Sequence, residues 1–215
     1  MKVEYIICLS RSGSTKYGEY LTEKLNSKNE NSLFVGESIH AFWPSYYRNN
    51  LKHKYCSCGK KYEKCIFWKD LSYKRTLKDY YNWIIEKTKL FGYSTIIDSS
   101  KKLKILNLYN EMDIDLRVHF IIRSPFSWAK SSNKHSKLQG ESPNNILWQI
   151  FFNWLPRNFY YWYKLRKYNP NILCMKYWNV KGKFNEHKHI YIGSDNKFND
   201  EFKNKFKVDK RGYYK

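Results

Sequence analysis

Two clusters of small polar and cationic residues are the parts of this chain best suited to chemistry. The first is Ser10-Arg11-Ser12-Gly13-Ser14-Thr15, which follows the apolar run VEYIICL and precedes a helix-like pattern. Gly13 lets a bound group approach the main chain, and successive amides ahead of a helix point at an anion. Ser12, Ser14 and Thr15 add hydroxyl donors, and Arg11 adds a fixed cation. The ordinary alternative is a strand-to-helix turn with Ser or Thr as N-cap. The triphosphatase pattern GxxxxGK followed by Ser or Thr is absent, and Lys16 is offset from the place of its lysine. A magnesium-dependent ATPase is therefore disfavoured. The second cluster runs from Arg123 to Ser131, RSPFSWAKS. Arg123 ends a strand-like run and Ser131 lies on the helix-like segment after it, so the two can clamp one phosphate. A surface Arg with a solvent-facing Ser is the alternative there.

The elements around these clusters alternate. Residues 2–9 predict a buried strand, and 14–27 a helix with Tyr17, Leu21 and Leu25 on one face. Further strands are predicted at 32–36, 95–98, 117–122 and 172–175. Helices are predicted at 76–91, 102–112 and 126–137, with a long aromatic one over 143–168. An irregular, cysteine-containing stretch occupies about 40–75. This alternation predicts an α/β fold with a mostly parallel central sheet and helices on both faces. Ligands in such sheets sit beyond the C-terminal strand ends. Four polar clusters fall at those ends: SRSGST, GESIH, DSSK and RSP.

The chain has 215 residues, which suits one domain. Its formal charge is +21, from 40 Lys and Arg against 19 Asp and Glu. That favours anionic partners without choosing among them. An AT-rich genome would produce part of the same Lys, Asn and Tyr excess. An odd count of five cysteines, with Cys8 and Cys174 in predicted strands, argues against a disulfide framework. His53, Cys56, Cys58 and Cys65 are zinc-type ligands, but the Cys-x-Cys spacing is atypical and no metal site is expected. The start is not a secretory signal, and ILWQIFFNWL is too short and too interrupted to span a bilayer. A cytoplasmic protein without transmembrane segments is expected. The aromatic residues from Trp148 to Tyr163 are expected to form a core helix face and a substrate-channel wall. No nucleic-acid signature is present.

Taken together, the clusters resemble the sulfotransferases that use 3'-phosphoadenosine 5'-phosphosulfate (PAPS). SRSGST is similar to that family's 5'-phosphosulfate loop, PRSGTT or PKSGTT. IIRSPFSWAKSS resembles its 3'-phosphate motif, with Arg123 and Ser131 at the family's paired positions. FVGE at 34–37 resembles the Gly-Glu after the second strand in bacterial and tyrosyl-protein members. DSSK at 98–101 and CSCGKKYEKCIFW at 56–68 are similar to elements of a bacterial subgroup. The likeness covers residues 2 to about 165, in order.

The resemblance implies a P-loop NTPase-like three-layer sandwich over 1–215, with PAPS as cofactor, its product PAP, and no metal. It assigns the cofactor to Arg11, Ser12, Gly13, Ser14, Thr15, Arg123 and Ser131, and the general base to Glu37, with His40 as runner-up. Lys101 would supply positive charge at the bridging oxygen, and Ser99 or Ser100 would bond the cofactor or cap the next helix. Past the last predicted strand the chain departs from the family, leaving a shortened arm over about 177–215. There, Gly193 and Lys197 stand where a basic cofactor loop would lie. The expected reaction is sulfonate transfer to a hydroxyl of a carbohydrate, lipid or small metabolite. A non-catalytic polyanion binder is the alternative from another class, and a P-loop kinase a weaker one.

Overall fold

Five apolar runs pair into one sheet, and three of them are buried along nearly their whole length, as strands covered on both faces must be. The structure is a computed structural model and describes residues 1–39, 60–61, 64–68 and 76–175. The strands are β1 (Lys2–Cys8), β2 (Ser32–Gly36), β3 (Thr95–Asp98), β4 (Asp115–Arg123) and β5 (Asn171–Met175). They lie in the order β2-β3-β1-β4-β5, and every pairing is parallel. In register, Lys2 of β1 stands between Thr95 of β3 and Asp115 of β4. β1 is thus central, and the chain leaves it toward β2 on one side while β4 and β5 build the other. The C-terminal end of such a strand is a switch point, where loops diverge and leave a crevice.

The helices are α1 (Ser14–Asn26), α2 (Leu77–Leu90), α3 (Leu103–Asn110), α4 (Pro125–Leu138), α5 (Ile146–Gln149) and α6 (Leu155–Leu165). Strand periodicity sorts the side chains into two layers. Val3, Tyr5, Ile7, Leu33, Val35, Ile96 and Phe120 meet Tyr80, Tyr81 and Ile84 of α2 and Ile105, Leu106 and Tyr109 of α3. Ile6, Cys8, Phe34, Ile97 and Ile121 face the other way, onto Tyr17, Leu21 and Leu25 of α1. Helices therefore cover both faces of a parallel sheet, as the alternation of runs predicts. Gly18 lets α1 sit close: a Cβ there would lie 2.4 Å from the buried Phe34 ring.

One polar pair lies inside the α1 layer. Glu4 and His119 meet at 2.5 Å, the Tyr17 hydroxyl is 3.1 Å from the other ring nitrogen, and Lys2 is 2.9 Å from Glu4. Burial alone would raise the Glu4 carboxyl's pKa, but the bonds from His119 and Lys2 outweigh it and hold the value low.

Three features differ from the sequence-based expectations. The long aromatic helix is interrupted by a π-helical segment, Ile150–Trp154, in which Leu155 donates to the Ile150 carbonyl. Pro156 follows at once; it has no N–H, and its ring would clash with the carbonyl four residues back, so the wider turn relieves both. The stretch is also inverted: Gln149, Ile150, Asn158 and Leu165 are buried, while Trp148, Phe151, Phe152, Phe159 and Trp162 are exposed. It is not mainly a core face. Finally, the described end of the insert belongs to the core, since Cys65, Phe67 and Trp68 are buried against α2. Among the described residues, no helix is long and apolar enough to cross a membrane. Most of the insert and the arm beyond residue 175 lie outside the described residues.

Candidate functional site

The loop after β1 is shaped by two left-handed residues, Arg11 (φ 69°) and Gly13 (φ 92°). Ser12 N–H closes a tight turn on the Leu9 carbonyl at 3.2 Å, and Tyr17 N–H starts α1 on the Gly13 carbonyl at 3.0 Å. Two side chains hold the loop from outside. The Trp128 indole donates to the Ser10 carbonyl at 2.8 Å, and the Arg123 guanidinium to the Arg11 carbonyl, also at 2.8 Å. Arg123 donates to Ser127 as well, at 2.9 Å, and its own carbonyl accepts from the Trp154 indole at 2.9 Å. Ser12 and Ser14 are buried in the loop. Burial also pushes the Cys8 thiol beneath it up to about 11, which makes it a poor nucleophile.

The ends of β2 and β3 meet beside this loop. Gly36 (φ 62°) turns the chain, and its carbonyl accepts from Ser99 N–H at 2.9 Å. Glu37 follows, and Lys101, itself left-handed (φ 60°), forms an ion pair with it. Non-glycine residues rarely hold positive φ, and such strain gathers at functional sites. Beneath the pair lies a fully buried carboxyl, Asp98. It accepts from Ser100 N–H at 2.7 Å, the Tyr109 hydroxyl at 2.9 Å and the Ser38 hydroxyl at 3.3 Å. The Tyr80 hydroxyl donates to the Ser38 carbonyl. Burial raises the Asp98 carboxyl to about 6 despite the opposing bonds from Ser100, Tyr109 and Ser38. This network ties Ser38 to Ser100, and so the segment bearing Glu37 to the one bearing Lys101.

These loops wall a cleft of about 460 Å³. Ser10, Arg11, Glu37 and Lys101 line it from the strand ends, and Trp128, Ser132 and His135 from α4. Asn144, Gln149, Asn153 and Arg157 complete it. The Arg11 guanidinium donates to His135 Nδ1. Gln149 is 4% exposed, and its amide donates to Asn133, but its buried carbonyl Oε1 meets no donor among the described residues. A buried acceptor left in that state is costly.

Of the residues singled out in the sequence, Arg11, Glu37 and Lys101 come together in the cleft. Ser12, Gly13, Ser14 and Thr15 form the loop and the first turn of α1. Arg123 braces that loop from behind. Ser131 is half-buried on α4, and the neighbouring Ser132 is the serine that lines the cleft. His40, Lys197, His53, Cys56 and Cys58 lie outside the described residues. Gln149, Asn153 and Arg157 were missed, although their spacing of four was a usable signal: it marks one polar stripe through an aromatic helix. The same holds for Trp128, Ser132 and His135, which recur at helical spacing.

The arrangement sets Arg11, Lys101 and the Glu37 carboxylate at the strand ends, and Arg157 with three amide side chains and the Ser132 hydroxyl on the helical side. It can receive an anionic group and, at the same opening, take a proton from a hydroxyl. No protein-family model and no curated protein matches this sequence.

Proposed function

We propose that the chain transfers a sulfonate group from PAPS to a hydroxyl on a carbohydrate, a lipid or a small metabolite, on a P-loop NTPase-like fold. What carries the reading is that Arg11, Glu37 and Lys101, following three different strands, line one cleft at the switch point. The donors suit a phosphosulfate: Arg11, Lys101 and Arg157 line the cleft, and the amides ahead of α1 lie in the loop beside it. The lining amides Asn144, Gln149 and Asn153 suit the hydroxyls and the amine of a nucleoside.

Bound PAPS supplies an activated sulfonate on a phosphate leaving group. Arg11 and the Ser12–Thr15 loop would hold that end and balance its charge. Lys101 would donate to the oxygen on which negative charge builds. Glu37 would accept the proton from the acceptor hydroxyl, so that its carboxylate becomes a carboxylic acid as the acceptor oxygen becomes nucleophilic. Arg123 would keep the loop in shape, and with Ser131 reach the 3'-phosphate; Lys197 is the remaining candidate contact. The scheme calls on no metal, because Arg11 and Lys101 supply the positive charge.

PAP raises the melting temperature without added Mg²⁺ in this reading, and Arg123→Ala reduces the shift. No stabilisation at millimolar PAP would sink it. Turnover is read by mass spectrometry with PAPS and a library of hydroxyl acceptors. The net charge of +21 favours one second reading, a non-catalytic binder of polyanions. That reading gains if labelled sulfonate leaves PAPS for no acceptor in a cell extract. ATP with Mg²⁺ outperforming PAP would point to a kinase instead.

A further inference from the structure

The exposed side of the stretch from α5 to α6 is apolar. Leu147, Phe151, Leu155, Phe159 and Tyr163 recur every four residues, and all are exposed, Phe151 by 61% and Phe159 by 62%. Trp148 pairs with Phe152 beside this row, and Trp162 with Phe159, each pair with ring centroids 5.6 Å apart. At about 1.5 Å per residue the row is about 24 Å long. Soluble surfaces rarely leave so many large apolar side chains in one contiguous patch.

The charges of this segment are of one sign. Between Ile146 and Tyr168 there is no Asp or Glu; Arg157 lines the cleft, and Lys164, Arg166 and Lys167 gather at the segment's C-terminal end. The cations stay close to the rings: Lys164 Nζ lies 5.9 Å and 5.8 Å from the Tyr160 and Tyr163 centroids, and the Arg166 guanidinium 4.4 Å from Tyr163. Lys167 lies 4.7 Å from the Tyr168 centroid. Aliphatic and aromatic side chains in a convex row, edged by Lys and Arg with Tyr and Trp among them, are the composition of a helix lying in a lipid headgroup region.

We infer that this face docks on an anionic lipid surface, with Phe151, Leu155 and Phe159 entering the acyl boundary and the cations meeting lipid phosphates. Two alternatives fit less well. A second copy would bring two chains of charge +21 together, with cationic edges near one another. A single-stranded nucleic acid stacks on π-faces, and Leu147 at one end of the row and Leu155 in its middle offer none. The inference does not depend on which reaction the cleft performs.

The test is flotation of the full chain with vesicles of phosphatidylcholine alone, and with one third replaced by phosphatidylglycerol. Binding is expected to the anionic vesicles, with a blue shift of tryptophan emission, and weakly or not at all to the neutral ones. Phe151→Ser with Phe159→Ser, both at exposed positions, is expected to keep the melting temperature and bind at least about tenfold more weakly. Lys164→Glu with Lys167→Glu is expected to remove the salt-sensitive part of binding, and serves as the second variant if the first is unstable. No binding to anionic vesicles, or equal binding by both variants, overturns the inference. So does a dimer in sedimentation velocity, or a labelled oligouridine complex, that the serine variant abolishes while vesicles are ignored.

Discussion

Glu37 and Lys101 are 64 positions apart in the chain and form an ion pair at the rim of the cleft, their side chains 17% and 14% exposed. The pair exists because β2 and β3 are parallel neighbours whose C-terminal ends coincide, with Gly36 in register with Asp98. Glu37→Gln is expected to keep the PAP-induced melting shift and lower turnover by about 10²–10⁴-fold, the range for loss of a general base. Lys101→Ala is expected to lower turnover as well while Glu37 stays in place. Full activity of Glu37→Gln in the acceptor assay would move the base elsewhere, with His40 next in line.

Arg123 reaches across 112 positions to the Arg11 carbonyl. Removing it takes away a charged donor from a half-buried carbonyl and from Ser127. Arg123→Ala is expected to cost about 2 kcal/mol in urea unfolding. It should also shrink the PAP-induced melting shift, because the loop loses its brace. Arg123→Lys should recover part of the stability and little of the ligand response, since an ammonium cannot reproduce the two-sided guanidinium geometry.

Gln149 gives a prediction that separates fold from ligand binding. Its Oε1 is buried without a donor among the described residues, so Gln149→Met removes an unsatisfied acceptor. The variant also loses the donation to Asn133. The two effects offset, and the unliganded melting temperature is expected to move little. The response to PAP is expected to fall, which thermal shift with and without PAP measures directly.

Asp98 predicts a pH dependence. Burial raises its carboxyl from 3.8 to about 6 in the fold. Between those values the folded chain holds a proton that the unfolded chain has released. Stability therefore falls as pH rises through that window and levels off above it, by at most about 3 kcal/mol. Asp98→Asn is expected to flatten this slope in urea titrations at stepped pH. The Ser38 and Tyr109 hydroxyls can turn to suit an amide, so the variant should still fold. Glu4 has the opposite slope: its lowered carboxyl pKa contributes stability above the ordinary value of 4.5 that is lost as pH falls through the lower folded value.

Much of the fold was legible because four of the five strands are short apolar runs ending in a polar cluster. The predicted runs 32–36 and 95–98 match Ser32–Gly36 and Thr95–Asp98, and the other strands differ by one or two residues at the ends. The near-continuous apolar run through β1, from Val3 to Leu9, also announced two covered faces, with Glu4 as its one polar interruption. The strand order was not legible, since no local pattern says that β3 inserts between β2 and β1. Nor was the π segment, which answers a steric demand of Pro156 four residues downstream of the carbonyl it would strike. The inverted aromatic stretch misled for a physical reason: periodicity reports that one face is apolar, and burial has to be supplied by something else. The strand-end residues Arg11, Glu37 and Lys101 could be found from the switch-point rule. Gln149, Asn153 and Arg157 required asking what the polar stripe of an aromatic helix is for.

Arg11 and Lys101 both hold a backbone conformation that glycine would adopt more readily, by about 1 kcal/mol or more at each position. Heat tolerance and the positive charge of the cleft are therefore opposed at these two residues. A laboratory selection that scored only survival at high temperature would drift toward glycine at both, and each such gain would strip one cation from the cleft. Variants recovered that way would mark the site by what they had discarded.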